Sequence, residues 1–498
     1  MANTACHHCC LSRRQCLKFL SASALGAGLA ATGISGWGQE QNAPAPSDFI
    51  DPASLRPNPP VKIAAVFLEM PRPVWLGWPG TTYDLDAHQA EYRGLLEQSS
   101  TRLSLTTTLE PAPLNTEEGV DAWIKSLVAA SPDGILVMLQ HMQCWGWVHK
   151  IAQATSVPVL VFAPVGTAFT GHIDQASRMK RVHVISTLEW SAVEDALKIV
   201  RAKRRFEETR VLWIHSDRTN ETVLDRLGVK VRAIPRDTFN KTFDQQLVTA
   251  EVRDVASDMR QKAQKIVEPT EEDIINSSRA YLTAKRLLAA EKANALSMDC
   301  LGMVGSRLVP TPPCGAWTLL QDQGITAGCE ADLYGALSLM LTSYLLDRPG
   351  YMNDPVPETH KNFLIASHCT SGTKLDGFDK PAAPYILRDH SESSLGVSTQ
   401  VLWPVDQPAT LVRFNSPHEM IIDTGTVAGN VDTPPAGGCR TSVELRMDNI
   451  EDCRDVKGFH QVVVLGNHRR ILETFCELYG IKHVHSPQQS TFAEGDNV

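Results

Sequence analysis

The hydrophobic pattern along this chain has two textures. From residue 61 to about 175, apolar runs of strand length alternate with amphipathic stretches. Val61–Leu68, Gly134–Leu139 and Val157–Phe162 read as buried strands, and Glu117–Ala130 has helical periodicity. Such alternation predicts a parallel sheet covered by helices. The rhythm continues from 176 to 350. Strands are predicted at Arg210–His215, Gly228–Arg232 and Leu296–Leu301, and helices at Asp244–Glu268, Glu271–Lys292 and Glu330–Leu346. The last helix is stopped by Arg348-Pro349-Gly350. From 351 the texture becomes short strands broken by Pro and Gly: Phe363–Ser367, Gly396–Leu402, Ala409–Phe414, Met420–Asp423, Thr441–Arg446 and Gln461–Leu465, then a closing helix Arg469–Tyr479. The reading is α/β: two Rossmann-like parallel α/β domains, 61–175 and 176–350, followed by a mostly antiparallel, barrel-like C-terminal domain, 351–498. There is no internal repeat, P-loop or G-x-G-x-x-G after a strand.

The N-terminus does not fit either texture. Ser12-Arg13-Arg14-Gln15-Cys16-Leu17-Lys18 resembles the twin-arginine export motif, with Cys16 where Phe is usual. The apolar run Phe19–Ile34 is too short and too rich in small residues for a membrane span, and Ala30 and Ala31 suit signal cleavage. Residues 1–40 are therefore read as an export signal and 41–60 as a Pro/Ala/Asn-rich linker. The expectation is an exported, periplasmic protein without stable membrane insertion once the signal is removed. A retained N-terminal anchor is the alternative.

Composition narrows the function. The chain has 498 residues and a net charge of −9, which argues against a nucleic-acid footprint. The densest basic stretch, Arg201–Arg205, reads as a solvated helix end. Eight cysteines follow the signal without any C-x-x-C pair, so a zinc ribbon is not expected. Cys300 with Cys314, or Cys439 with Cys453, are conceivable disulfides. His141, Gln143, Trp145 and Trp147 follow a predicted parallel strand, where open α/β sheets bind ligands. Trp145 or Trp147 is a candidate for stacking on a sugar, with domain-interface packing the commoner fate.

Three stretches in the last third carry candidate metal chemistry. Cys329-Glu330-Ala331-Asp332 opens an apolar helix, Met352-Asn353-Asp354 follows its end, and Gly466-Asn467-His468 ends a strand. Glu330 is expected in the first helical turn, where the dipole favours an ionised carboxylate. Asp332 is expected to cap the same end or to face polar groups, and Asp354 to lie in a loop. His368 ends another strand in Ala366-Ser367-His368-Cys369. Two carboxylates and an imidazole form a set that a hard divalent cation such as Mn²⁺ accepts.

The Cys329–Asp332 helix start, with Asp354 placed 24 residues after Glu330, is similar to the L-fucose isomerase motif. Ser367-His368 and Asn467-His468, 100 residues apart, resemble the paired histidines of L-arabinose isomerases. Those enzymes have Met-Glu-Asp where this chain has Met352-Asn353-Asp354, so the chain stands nearer the fucose type. The resemblance implies aldose–ketose isomerisation of a monosaccharide through an ene-diol. It implies Mn²⁺ held by Glu330, Asp354, His468 and, as a second-tier ligand, His368, with Glu330 and Asp354 also moving protons. It further implies a homo-oligomer. His390 and Trp403 are weaker candidates for the pocket lining. Two alternatives stay open: a non-catalytic exported carbohydrate-binding protein of the same fold, and a metal-assisted sugar epimerase or lyase.

Overall fold

The computed structural model describes residues 49–73, 76–432 and 438–492. Residues 1–40, read as an export signal, lie outside them. Within the stretch read as linker, Asp51 caps a 3-10 turn at Pro52–Leu55, and Leu55 is buried.

The first sheet contains β1 (Lys62–Leu68), β2 (Thr106–Leu109), β3 (Gly134–Leu139), β4 (Val159–Ala163) and β5 (Val182–Ser186), all parallel, in the order 2-1-3-4-5. Both faces of β1 are buried. Ile63, Ala65 and Phe67 share a core with Tyr92, Leu96 and Leu197, whereas Ala64, Val66 and Leu68 share another with Val120, Trp123 and Val148. Helices therefore cover both sides, which explains why the strands read as continuous apolar runs. The sheet reaches beyond residue 175, since β5 is its last strand.

The second sheet holds β6 (Arg210–Ile214), β7 (Asn220–Leu224), β8 (Val229–Ile234), β10 (Ala295–Met298) and β11 (Thr326–Gly328). Its order is 11-10-6-8-7, parallel except for the hairpin strand β7. The short β9 (Lys265–Ile266) pairs elsewhere. The predicted helix 244–268 is two helices, Asp237–Gln245 and Ala250–Lys262. The strand predicted at 296–301 ends at Met298, where Asp299 caps a short helix, Cys300–Gly305.

The C-terminal part is a closed six-stranded antiparallel barrel. β12 (Tyr351–Glu358), β13 (Phe363–His368), β16 (Pro408–Ser416), β17 (Glu419–Asn430), β18 (Thr441–Met447) and β19 (Gln461–Leu465) close in the order 16-19-12-13-18-17-16. β14 (Tyr385–His390) and β15 (Leu395–Val401) form a separate hairpin that β9 joins. β20 (Lys482–Val484) runs parallel beside β17.

Asp354 lies in β12, not in a loop. Pro355 and Pro357 suggest a turn, yet β12 pairs with β19 only over Tyr351–Asn353 and thereafter with β13 alone. That leaves one open edge, where a residue without an N–H is tolerated. The helix Leu333–Leu345 packs against the second sheet, β16 and β19. Leu337, Met340 and Leu341 share one core with Leu296, Ala327, Val412 and Phe414. Residues from 49 onward thus pack as a single unit.

Candidate metal centre

Barrel register determines which side chains can meet. Asn353 is opposite Gln461, so Asp354 comes next to His460, the residue before β19. Asp354 is also opposite Ser367, so His368 follows at the same end of β13. The turn after β11 brings the fourth group. Glu330 and Ala331 both have left-handed backbones, with φ of 57° and 54°. The Ala331 N–H donates to the Met298 carbonyl at 2.9 Å, and its own carbonyl accepts from the Trp213 indole at 2.7 Å. The turn is thereby held although two side-chain-bearing residues sit in a region that costs about 1–3 kcal/mol each.

Glu330, Asp354, His368 and His460 each offer one ligand atom, all within 4.8 Å of one another. His460 Nε2 is 3.3 Å from Glu330 Oε2 and 3.2 Å from Asp354 Oδ1. His368 Nε2 is 3.7 Å from Glu330 Oε1. Both histidines are buried. Despite these distances, His460 Nε2 and Asp354 Oδ1 have no partner in hydrogen-bonding geometry, and neither does His368 Nδ1. Buried polar atoms normally find partners. Ligand atoms that converge outside hydrogen-bonding geometry fit a set arranged around a cation.

Charge around the cluster is balanced by contact. The facing His368 and His460 imidazoles hold the Glu330 carboxyl down at about 2. Burial alone would lower the His460 pKa, but Asp332, Asp354 and Glu330 reverse this and raise it to about 11. Burial likewise works against His368, and Glu330 turns the balance upward. For Asp332, burial is outweighed by His460 and Arg413, leaving its carboxyl well below the usual range.

Asp332 supports the cluster from behind. It is the N-cap of the helix, accepting from Gly335 N at 2.9 Å, and its Oδ2 accepts from Arg413 at 2.6 Å. Glu330 is therefore two residues short of the cap rather than in the first helical turn, so the dipole argument for it does not hold. Its ionisation rests on the two imidazoles instead.

The structure does not bring His468 to this cluster. β19 separates the two ends: His460 precedes it and His468 follows it. The Gly466 turn (φ +104°) folds the His468 ring back so that its Nε2 meets the Leu465 carbonyl at 2.9 Å. The sequence signal for His460 was its place one residue before the apolar run Gln461–Leu465. His468 lies three residues past the other end of the same run.

The remaining candidates have other surroundings. Trp145 is buried and donates to the Thr167 carbonyl, and Trp147 donates to Glu117. Trp403 is buried against Tyr351. His390 lines a cavity of about 890 Å³ together with Leu301, Leu308, Glu392 and Leu395. Cys300, which precedes Leu301, accepts from the Glu330 N–H through its thiol at 3.5 Å. Cys300, Cys314, Cys439 and Cys453 are all free thiols.

No family model matches the chain. It is 26% identical over 155 residues to the sulfoquinovose isomerase of Clostridium sp. (strain MSTE9), a match covering 29% of this chain and 34% of that protein. The similarity thus spans about a third of the relative's length. Among solved structures, a carbohydrate transporter from Acidothermus cellulolyticus 11B in complex with myo-inositol aligns at 12% identity and a TM-score of 0.18, over 53% of this chain and 86% of that one. Alanine racemase from Clostridium difficile 630 aligns at 9% identity and a TM-score of 0.13, over 87% and 90%. At those scores neither structure carries an argument. What stands is a distant sequence similarity to a sugar isomerase.

Proposed function

We propose that this chain is a metal-dependent sugar isomerase interconverting an aldose and a ketose through an ene-diol. The observation that carries the reading is the convergence of Glu330, Asp354, His368 and His460, among which Asp354 Oδ1, His368 Nδ1 and His460 Nε2 are buried without a hydrogen-bond partner. The distant sugar-isomerase similarity supports the same direction.

A carboxylate-rich set with imidazole suits a divalent ion such as Mn²⁺. Glu330, Asp354 and His460 would hold it, with His368 beside them. Such an ion, when bound, supplies Lewis-acid polarisation of neighbouring carbonyl and hydroxyl oxygens.

The side chains account for the rest. Isomerisation needs a base that takes a proton from one carbon and returns it to the next, and a second group that serves the oxygens. Glu330 and Asp354 are the two carboxylates available, both within 3.3 Å of His460 Nε2. Asp332 orients the His460 ring through Nδ1, leaving Nε2 directed at the cluster. His368, buried beside Glu330, is placed to donate to a sugar hydroxyl or to complete the ligand set. By the same reading the protein is exported and acts as a homo-oligomer.

The test is metal content of protein purified without chelator, with aldose-to-ketose turnover on a monosaccharide panel that includes sulfoquinovose. About one Mn²⁺ per chain with turnover on any sugar supports the reading. Neither metal nor turnover overturns it.

A further inference from the structure

The C-terminal helix–turn–strand unit carries a second group of metal-ligating side chains, which the proposed reaction does not use. The helix Arg469–Tyr479 ends at Gly480, whose φ of +63° turns the chain into β20. His483 and His485 are two residues apart in extended chain, so their side chains share a face. Glu473 comes from the helix. Ligand atoms of Glu473, His483 and His485 lie within 4.8 Å of one another.

The ring states favour a cation between them. His485 Nδ1 meets the Ile422 carbonyl, an acceptor only, so Nδ1 carries the proton and donates it. Nε2, which faces the Arg469 guanidinium, a donor only, then presents its lone pair. A metal-ligating imidazole is commonly held in this way, its other nitrogen tied to a backbone carbonyl. That lone pair faces Glu473 Oε1 at 3.4 Å, two acceptors against each other. His483 Nδ1 is buried without a partner, and its Nε2 is 3.9 Å from Glu477 Oε1. The positive charge now at this place is Arg469, which donates to Glu473 Oε1 at 2.7 Å and lies 3.3 Å from His485 Nε2. Its side chain is 39% exposed, so it can swing into solvent.

We propose that Glu473, His483 and His485 form a second metal site, for a borderline divalent ion such as Zn²⁺, and that Arg469 competes for it. Two imidazoles and one carboxylate match an open zinc set of three protein ligands with solvent in the fourth position. The ion would staple the closing helix to the strand beside β17.

The experiment is a Zn²⁺ titration by calorimetry on the full chain carrying His460→Ala, which removes the first cluster from the count. One Zn²⁺ per chain is expected. Adding His483→Ala should weaken that binding by about tenfold or more, on the scale of losing a ligand-shell contact. Adding Arg469→Gln should strengthen it several-fold. The metal-free unfolding temperature checks that each variant folds, and His483, which lacks the tie to the Ile422 carbonyl that His485 makes, is the less disruptive of the two histidines to change. Absence of the Zn²⁺ equivalent overturns the proposal. So does binding that His483→Ala leaves intact, or an Arg469→Gln variant that binds no more tightly than its parent.

Discussion

Asp332 Oδ2 and His460 Nδ1 are 3.0 Å apart across 128 residues of sequence, and this contact aims the opposite nitrogen of the imidazole at Glu330 and Asp354. A carboxylate behind a ligating histidine fixes the ring and raises its basicity. Asp332 is itself held by the helix it caps and by Arg413, so the orientation of His460 is inherited from the start of a buried helix.

Asp332→Asn should isolate that effect. Asn caps a helix as well as Asp does, so the fold is retained. The charge behind the ring is lost. Mn²⁺ affinity should fall about 10- to 100-fold, whereas Glu330→Gln should remove binding outright. Calorimetric titration reads both, and an unchanged Kd in Asp332→Asn would separate this residue from the metal centre.

The two candidate imidazoles can be told apart. His460→Ala should abolish stoichiometric Mn²⁺, while His468→Ala should leave the stoichiometry unchanged, because the His468 ring is engaged with the Leu465 carbonyl. His368→Ala should give an intermediate loss, its Nε2 being the most distant from Glu330 at 3.7 Å. Metal analysis after gel filtration measures all three. Loss of metal in His468→Ala would reverse the assignment.

The left-handed turn makes its own prediction. At Ala331 (φ 54°) a β-branched side chain is far less tolerable than none. Ala331→Val should destabilise the protein by about 1–3 kcal/mol, and Ala331→Gly should be neutral or mildly stabilising. Thermal unfolding gives the order, and Val at least as stable as Gly would contradict it.

Asp322 supplies a pH dependence. It ends the helix Cys314–Asp322 and accepts from Thr373 N and Lys374 N, so it clamps the loop that follows His368. Burial, opposed by those donors, raises its carboxyl from 3.8 to about 6. The native state therefore holds a proton that the unfolded chain releases near pH 4. Its contribution is most favourable below pH 4 and is lost as pH rises to about 6, by roughly 3 kcal/mol. Asp322→Asn mimics the protonated form and should flatten this slope between pH 4 and 6 in urea unfolding. A slope equal to that of the parent would exclude Asp322 as its source.

Alternating apolar runs made the parallel sheets and the antiparallel C-terminal strands legible, because burial imposes them directly. The barrel-like character was read from those short strands, but the strand order that closes it, with β16 pairing with both β17 and β19, was not. Glu330 and Asp354 were legible from their types and positions, grouped with His468, and His368 entered as a second-tier ligand through the resemblance; the structure brings Glu330, Asp354 and His368 together and leaves His468 apart. His460 was not legible, because register, not local sequence, decides that it stands beside Asp354. The same holds for the strand around Pro355 and Pro357, where one unpaired edge overrides two turn-forming residues.

The insertion of β19 between β12 and β16 has a consequence for biosynthesis. Until His460 and β19 have left the ribosome, the barrel has two unzipped edges and an incomplete cluster. The cluster is thus assembled only once His460 and β19 are present, and a product truncated before residue 460 would present open strand edges that invite aggregation. Metal retention would then report translation through β19 and barrel closure together.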